Sequence, residues 1–206
     1  MKTSRWKRHD KNAGLWIPSS KPVYVYWFRF LQHAQNDPGR VVDWSAYQGW
    51  GSAEEIKSTK FDPWWRKNWK TLFGYKQGET EPLYSLSQTK PQAEGIRYAL
   101  MVYELRNTPL INGNIDDDGV KGNKWEIAKR IAVVEYPKRR AKGWEDENFH
   151  PEKWNFNLAR KSIARELRKE DPTEFRKQKK IIQSRVGRYM RAAETHLDNV
   201  CVGKFP

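Results

Sequence analysis

The sequence predicts a mainly α-helical fold with an aromatic-rich core. Helix start signals recur along the chain, and the apolar residues between them follow helical spacing. The 206 residues also include 11 Trp, 9 Tyr and 8 Phe, whereas only 37% of residues are apolar. Disordered chains are poor in aromatic residues, and each buried ring removes on the order of 150–250 Å² of surface from water. We therefore expect a folded chain whose interior is built from rings.

The N-terminal part is predicted to consist of an arm and a helical region. Residues 1–21 carry scattered charge and are expected to form a mobile basic arm. Residues 22–80 form the aromatic-rich helical region. Its first helix is expected to begin at Pro22, although the alternation of its apolar residues leaves a strand open.

Two further helix starts follow in this region. Ser52 and Glu55 have the spacing of a capping box. Asp62 precedes Pro63 as an N-cap acid before a proline at the first helical position. The helix behind them places one apolar face inward, formed by Trp65, Trp69, Leu72 and Phe73. Trp64 points away from that face, so it is the candidate for base stacking or for an interface.

Residues 81–206 are predicted to form a basic helical region, which could share one core with the first. The expected helices are Pro91 to about Arg106, Lys124 to about Val133, Pro151 to about Lys169, and Pro172 to about Val200. A charged loop is expected from Pro137 to Asn148.

The charge points to an anionic partner. The chain has 39 basic and 25 acidic residues, a formal net charge of +14. Residues 158–191 alone hold 12 basic and 4 acidic residues. Such an excess opposes compaction unless a nucleic acid or an acidic surface screens it.

The last helix has two distinct faces. At about 100° per residue, an apolar stripe is formed by Phe175, Ile182, Val186, Tyr189, Ala193, Leu197 and Val200. The opposite face carries Arg176, Lys177, Lys180, Arg188 and Arg191. A charge run is usually a solvated helix face, but here acidic i,i+4 partners are scarce, which favours phosphate binding. Gln183, Ser184 and Arg185 lie mid-helix, where they could contact base edges.

A second group of cations, Lys138, Arg139, Arg140 and Lys142, is expected to act as a flexible clamp on the charged loop. Residues 125–131 and 184–191 have the character of the packing and recognition helices of a helix-turn-helix, with a helix inserted between them. An αα-hairpin of the last two helices is the alternative.

Enzymatic sites are only weakly indicated, and no catalytic residue, metal site or cofactor is predicted. The loop from Asn114 to Gly119 matches the first positions of a calcium loop, but Trp125 stands where the bidentate Glu belongs. Glu135 and Lys138 hint at a metal-dependent nuclease, one residue off the usual spacing. His196 and Cys201 lack an assured orienting acid.

The remaining features indicate a soluble, cytoplasmic protein. Cys201 is the single cysteine, so no disulfide framework is expected. We find no signal peptide and no apolar run of the roughly 20 residues that a membrane span needs.

Two stretches resemble a loose group of uncharacterised bacterial proteins encoded on mobile elements. One is Tyr26-Trp-Phe-Arg-Phe-Leu31 with Phe61-Asp-Pro-Trp-Trp65 and Leu72-Phe73. The other is Gly187-Arg-Tyr-Met-Arg-Ala-Ala-Glu194 with Asp198-Asn-Val200 and Gly203-Lys-Phe-Pro206. The resemblance covers about a quarter of the chain. It implies a bacterial or phage setting, and it carries over no activity and no functional residue.

Together these features predict a non-enzymatic nucleic-acid-binding protein, with DNA favoured over RNA. The first alternative is an interaction subunit or an inhibitor within a nucleoprotein complex, with Trp50, Trp64 and Trp144 as exposed contact residues. The second alternative is a metal-dependent nuclease.

Overall fold

The computed structural model describes residues 8–17, 21–76, 82–84, 86, 92–106, 124–143, 156–163 and 171–205, with the backbone alone at Arg8, 136–143 and Ile163. Within these residues the chain forms seven α-helices and a two-stranded sheet. The predicted mainly helical fold with an aromatic-rich core is confirmed.

The elements follow one another in a simple order. The two strands are β1 Arg8–Asp10 and β2 Leu15–Ile17. The helices are α1 Lys21–Asn36, α2 Ala53–Ser58, α3 Phe61–Leu72, α4 Ala93–Arg106, α5 Lys124–Gly143, α6 Asn157–Ile163 and α7 Pro172–Cys201. A 3₁₀ turn covers Trp44–Tyr47.

The strands β1 and β2 form an antiparallel hairpin within the segment predicted to be an arm. Gly14 in the connecting turn has a φ of 64°, a conformation that glycine adopts without steric cost. The backbone of Trp16 exchanges two hydrogen bonds with that of Tyr75, at 2.8 and 3.0 Å. Residues 8–17 are thereby joined to the chain just beyond α3.

The helix start signals are partly confirmed. The Ser52 hydroxyl accepts a hydrogen bond from the Glu55 amide at 3.1 Å, and α2 follows it. The Asp171 carboxylate accepts a hydrogen bond from the Thr173 amide at 2.7 Å, before the first turn of α7. The N-cap assignment of Asp62 is wrong because α3 begins one residue earlier, at Phe61.

The prediction of a charged loop after residue 136 is wrong for its first part. Helix α5 continues through Pro137 to Gly143. A proline lacks the amide that would bond to the carbonyl four residues earlier, here that of Val133. Val133 is 47% exposed, so water can reach this part of the helix. The helical backbone carries all four cations of the expected clamp.

The chain divides into two compact units, which we call the aromatic unit (residues 1–97 and 194–206) and the basic unit (residues 98–193). Both boundaries fall inside helices, one in α4 and one in α7.

The aromatic unit has a core of stacked and edge-on rings. Trp27 of α1 is fully buried and lies 5.3 Å from Trp50, 5.7 Å from Phe205 and 6.1 Å from Phe73, centroid to centroid. Such ring pairs each contribute about 0.5–1.5 kcal/mol beyond the area that they bury. The Tyr47 hydroxyl accepts a hydrogen bond from the Trp27 indole at 3.2 Å and donates one to the Val200 carbonyl at 2.5 Å.

The basic unit has a separate core, to which α4, α5, α6 and α7 all contribute. Tyr98 of α4 lies 5.5 Å from Phe156 and 5.3 Å from Tyr189 of α7, between ring centroids. The larger aliphatic residues buried in this core are Val102, Ile127, Ile131, Leu158, Ile182 and Val186. This core fixes which side of α7 faces the protein.

Candidate nucleic-acid interface

The predicted apolar stripe of α7 is buried. Ile182, Val186, Ala193, Leu197 and Val200 are each at most 5% exposed. Phe175 and Tyr189 are partly buried against the core of the basic unit. In the basic unit α7 is therefore held by its apolar stripe.

The predicted cations lie on the face of α7 opposite the apolar stripe. Arg176, Lys177, Lys180, Arg188 and Arg191 are exposed, and Arg185 is half-buried at the margin. We call the five exposed cations the basic face. They extend from residue 176 to residue 191, which is about 22 Å along a helix that rises about 1.5 Å per residue.

Helix α7 itself contributes almost no acids to the basic face. Between residues 172 and 193 the sequence contains one acidic residue, Glu174, in the first turn of α7. Its carboxylate lies 4.0 Å from the Lys177 ammonium and accepts a hydrogen bond from Gln178 at 2.9 Å. An exposed ion pair of this kind contributes at most about 1 kcal/mol, so it leaves the positive charge of the face largely intact.

Trp125, in the first turn of α5, packs against the side of α7. Its ring lies 6.0 Å from that of Phe175 in an edge-on arrangement. The Lys179 ammonium lies 5.1 Å above the same ring. This cation–π contact holds Lys179 against the protein, which explains why Lys179 is not part of the basic face.

Lys124 adds a further cation, which sequence reasoning missed. Its side chain crosses α7 at Gly187, where a Cβ atom would lie 3.2 Å from Cε and 3.3 Å from Nζ of the lysine. Gly187 falls on the same side of α7 as Lys180 and Arg191, at roughly 140° from Ile182. The exposed Lys124 therefore extends the basic face. The sequence offered one signal of this contact, which is Gly187 itself. A glycine inside a helix costs up to about 1 kcal/mol of stability, so its presence indicates that another group passes close to the backbone.

The other predicted cations lie on the last turns of α5. Lys138, Arg139, Arg140 and Lys142 belong to its helical backbone, and their side chains are outside the described residues. A flexible loop was the wrong expectation for them, since helical backbone spaces them at fixed intervals.

The prediction that Trp64 is free to stack on bases is wrong. Its side chain is 1% exposed, and its indole donates a hydrogen bond to the Trp50 carbonyl at 2.7 Å. The Trp64 ring lies 4.7 Å from the ring of Trp50 and 4.8 Å from that of Phe28. Trp64 lies off the apolar face formed by Trp65, Trp69 and Leu72, but it is buried all the same because the protein covers α3 on a second side. Trp50 is also 1% exposed, so it offers no contact surface either, and Trp144 lies outside the described residues.

The residues considered for a metal-dependent site lie only partly within the described parts of the chain. Glu135 is 4% exposed, and the side chain of its proposed partner Lys138 is outside the described residues. The calcium-like loop from Asn114 also lies outside them. Among the residues that the structure describes, no group of three or more His, Cys, Asp or Glu side chains could hold a metal ion.

His196 and Cys201 are held in different surroundings within the aromatic unit. The His196 ring lies between Phe30 and Phe205, at centroid distances of 5.2 and 5.3 Å. Burial lowers the pKa of His196 and raises the pKa of Cys201. The thiolate is the nucleophilic form of cysteine, and a raised pKa makes it scarcer at neutral pH.

The polar face of α7 changes sign after Arg191. Glu194 and Asp198 are both bonded to the guanidinium of Arg40, with an Nη2–Oε2 distance of 2.5 Å to Glu194. Asp37 adds a third carboxylate, 3.1 Å from Nε. These acids belong to the aromatic unit and are neutralised there.

The described residues thus define a helical protein in which α7 exposes five cations on the face opposite its apolar stripe. Comparisons with protein-family models, with curated proteins and with solved structures found no match. No helix in the described part of the chain is long and apolar enough to cross a membrane.

Proposed function

We propose that this protein binds nucleic acid without catalysing a reaction on it, and that the basic face of α7 contacts the phosphates. The observation that carries the proposal is the exposure of five cations on one face, with a single acid among them in the first turn. We propose that it binds DNA in the cytoplasm of a bacterium, as part of a mobile element or a phage system.

The alternative for the same face is simple solvation. Arg176 and Lys180 are four residues apart, and like charges at that spacing destabilise a helix by a few tenths of a kcal/mol. A face that is merely solvated gains nothing from such pairs. A row of phosphates would offset the repulsion and would release counterions as it bound.

The rigidity of α7 supports the proposal as well. The helix is anchored through Ile182 and Val186, which are 5% and 0% exposed. A helix that is already ordered loses little conformational entropy when it binds. A helix-turn-helix arrangement of α5, α6 and α7 remains a prediction.

Neither alternative function has gained a specific observation. The interaction-subunit hypothesis relied on three tryptophans, two of which are buried. The nuclease hypothesis relied on Glu135, which is also buried.

The test is a binding titration of the whole chain against a fluorescent DNA duplex of about 30 base pairs, repeated between 50 and 200 mM salt. Each phosphate contact contributes about 0.9 to the slope of log affinity against log salt. A fourfold rise in salt should therefore weaken binding about 3.5-fold for each contact.

A triple variant, Arg176→Gln with Lys180→Gln and Arg188→Gln, should lower that slope by about 2.7. The matched control is Lys57→Gln with Lys60→Gln and Lys70→Gln, which removes three exposed cations from the aromatic unit. The two variants have equal net charge. Equal loss of affinity in both, or no salt slope in the wild type, would refute the proposal.

A further inference from the structure

The exposed cations of the basic face fall into two groups, and the interval between them contains no exposed cation, since Arg185 there is half-buried at the margin. The first group is Arg176, Lys177 and Lys180. The second group is Arg188 and Arg191, extended by Lys124, which crosses α7 at Gly187. Between Lys180 and Arg188 the exposed residues of α7 are Ile181 and Ser184. We call these two residues the neutral window.

The length of the interval matches a groove of duplex DNA. Lys180 and Arg188 are eight residues apart, which is about 12 Å along the helix axis. The major groove of B-form DNA is about 12 Å wide, admits an α-helix, and is bordered by a phosphate backbone on each side. When the helix axis lies across the groove, two groups of cations at this spacing can contact both backbones at once.

The same arrangement fits other nucleic acids less well. A single strand presents one row of phosphates, for which an uninterrupted row of cations would serve better. The major groove of an RNA duplex is deep and narrow, and side chains cannot reach its bases. The interval without exposed cations therefore favours duplex DNA over both.

The neutral window has side chains suited to base edges. Ile181 is 51% exposed although it is a large apolar residue, and apolar side chains contact the C5-methyl group of thymine in the major groove. Ser184 is exposed and carries a hydroxyl group, which can donate to or accept from a base edge. Neither residue carries a charge, so neither would add to the salt dependence of binding.

We propose that α7 lies across the major groove of duplex DNA, with the two cation groups on opposite backbones and the neutral window facing the bases. Ile181 contacts a thymine methyl group, and Ser184 forms a hydrogen bond with a neighbouring base edge. This assignment rests on the proposed nucleic-acid binding and names its substrate class and its specificity-determining residues.

The first experiment compares probes with the whole chain at one salt concentration. The probes are a DNA duplex, an RNA duplex of the same sequence, and the single DNA strand. We expect the DNA duplex to bind at least tenfold more tightly than either of the others. Equal or tighter binding of RNA or of the single strand would overturn the major-groove assignment and leave nucleic-acid binding intact. Binding of none of the three would overturn both.

The second experiment selects sequences from a randomised DNA duplex pool with the wild type and with Ile181→Ser. Val41→Ser is the matched control, since Val41 is 88% exposed in the aromatic unit. We expect the wild type and the control to enrich the same thymine-containing sequence, and Ile181→Ser to lose the preference for that thymine with an unchanged salt slope.

The last step removes the methyl group itself. Replacing the selected thymine by uracil should weaken the binding of the wild type by roughly 4-fold, the effect of losing one buried methyl group. It should leave the binding of Ile181→Ser unchanged. A selection that yields no sequence, or a uracil effect that is equal in both proteins, would show that Ile181 does not contact the base.

Discussion

Replacing Tyr47 by Phe should destabilise the aromatic unit by about 2 kcal/mol. The substitution keeps the buried ring and removes only the hydroxyl, which bonds to the Trp27 indole and to the Val200 carbonyl. The indole then becomes a buried donor without a partner, at a cost of about 1–3 kcal/mol. The Val200 carbonyl keeps its hydrogen bond from the Gly203 amide at 3.3 Å. Losing the hydrogen bond from Tyr47 to this carbonyl therefore adds less to the destabilisation.

The measurement is urea unfolding followed by near-ultraviolet circular dichroism. With a denaturant slope of about 2 kcal/mol/M, the midpoint should fall by about 1 M. Tyr84→Phe is the control, because the Tyr84 hydroxyl bonds at 2.7 Å to the carbonyl of the exposed residue Gln48. Water can replace that partner, so we expect a loss of about 0.5 kcal/mol. If Tyr47→Phe costs no more than the control, the buried hydrogen bonds do not stabilise the fold as described.

The remaining predictions concern single side chains. Trp64→Phe should lower the urea midpoint because it leaves a buried carbonyl unpaired, yet leave the salt slope of DNA binding unchanged; a binding defect without a stability defect would contradict its burial. Burial lowers the pKa of His196, so the folded protein binds a proton at this residue less readily than the unfolded chain, whose histidine pKa is about 6.5. The free energy of unfolding should therefore fall as the pH drops from about 6.5 toward the lower pKa of the folded state. His196→Phe should show a weaker fall, and a fall equal to that of the wild type would exclude the histidine as its cause. Arg40→Gln leaves three carboxylates without their shared cation and should lower the urea midpoint more in low salt than in high salt, whereas a salt-independent loss would contradict this electrostatic cause. Lys124→Gln should lower the salt slope of DNA binding by about 0.9, while Lys57→Gln should not change it; equal slopes in both variants would place Lys124 outside the interface.

The helices could be predicted where the signal is local. The apolar stripe of α7 follows from spacing alone, because one long face of a helix is covered by the protein. The capping interaction of Ser52 is equally local, since the hydroxyl and the amide that it accepts from are three residues apart. In each case the prediction relies on residues within one or two turns of one another, even where the contacts that bury them come from distant elements.

The predictions that failed depend on contacts between distant segments. A helical wheel placed Trp64 away from the apolar face of α3, but it could not show that residues near Trp50 cover the other side. The crossing of Lys124 over Gly187 joins residues 63 positions apart, and although a glycine inside a helix indicates a close contact, it does not indicate which distant residue makes that contact. The failed prediction at Pro137 has a different origin. Helix α5 continues through this residue, although prolines usually lie at helix ends.

The crowding of rings in the aromatic unit has an optical consequence. Trp50 lies 5.3 Å from Trp27 and 4.7 Å from Trp64, so the electronic transitions of the three indoles couple and excitation energy migrates among them. The fluorescence of these three indoles should be strongly depolarised. Because they behave as one chromophore, their emission should report the folding of the aromatic unit. Trp125, beside the basic face, lies in the basic unit. A change in its emission on adding DNA would be an intrinsic signal of binding, without any attached dye.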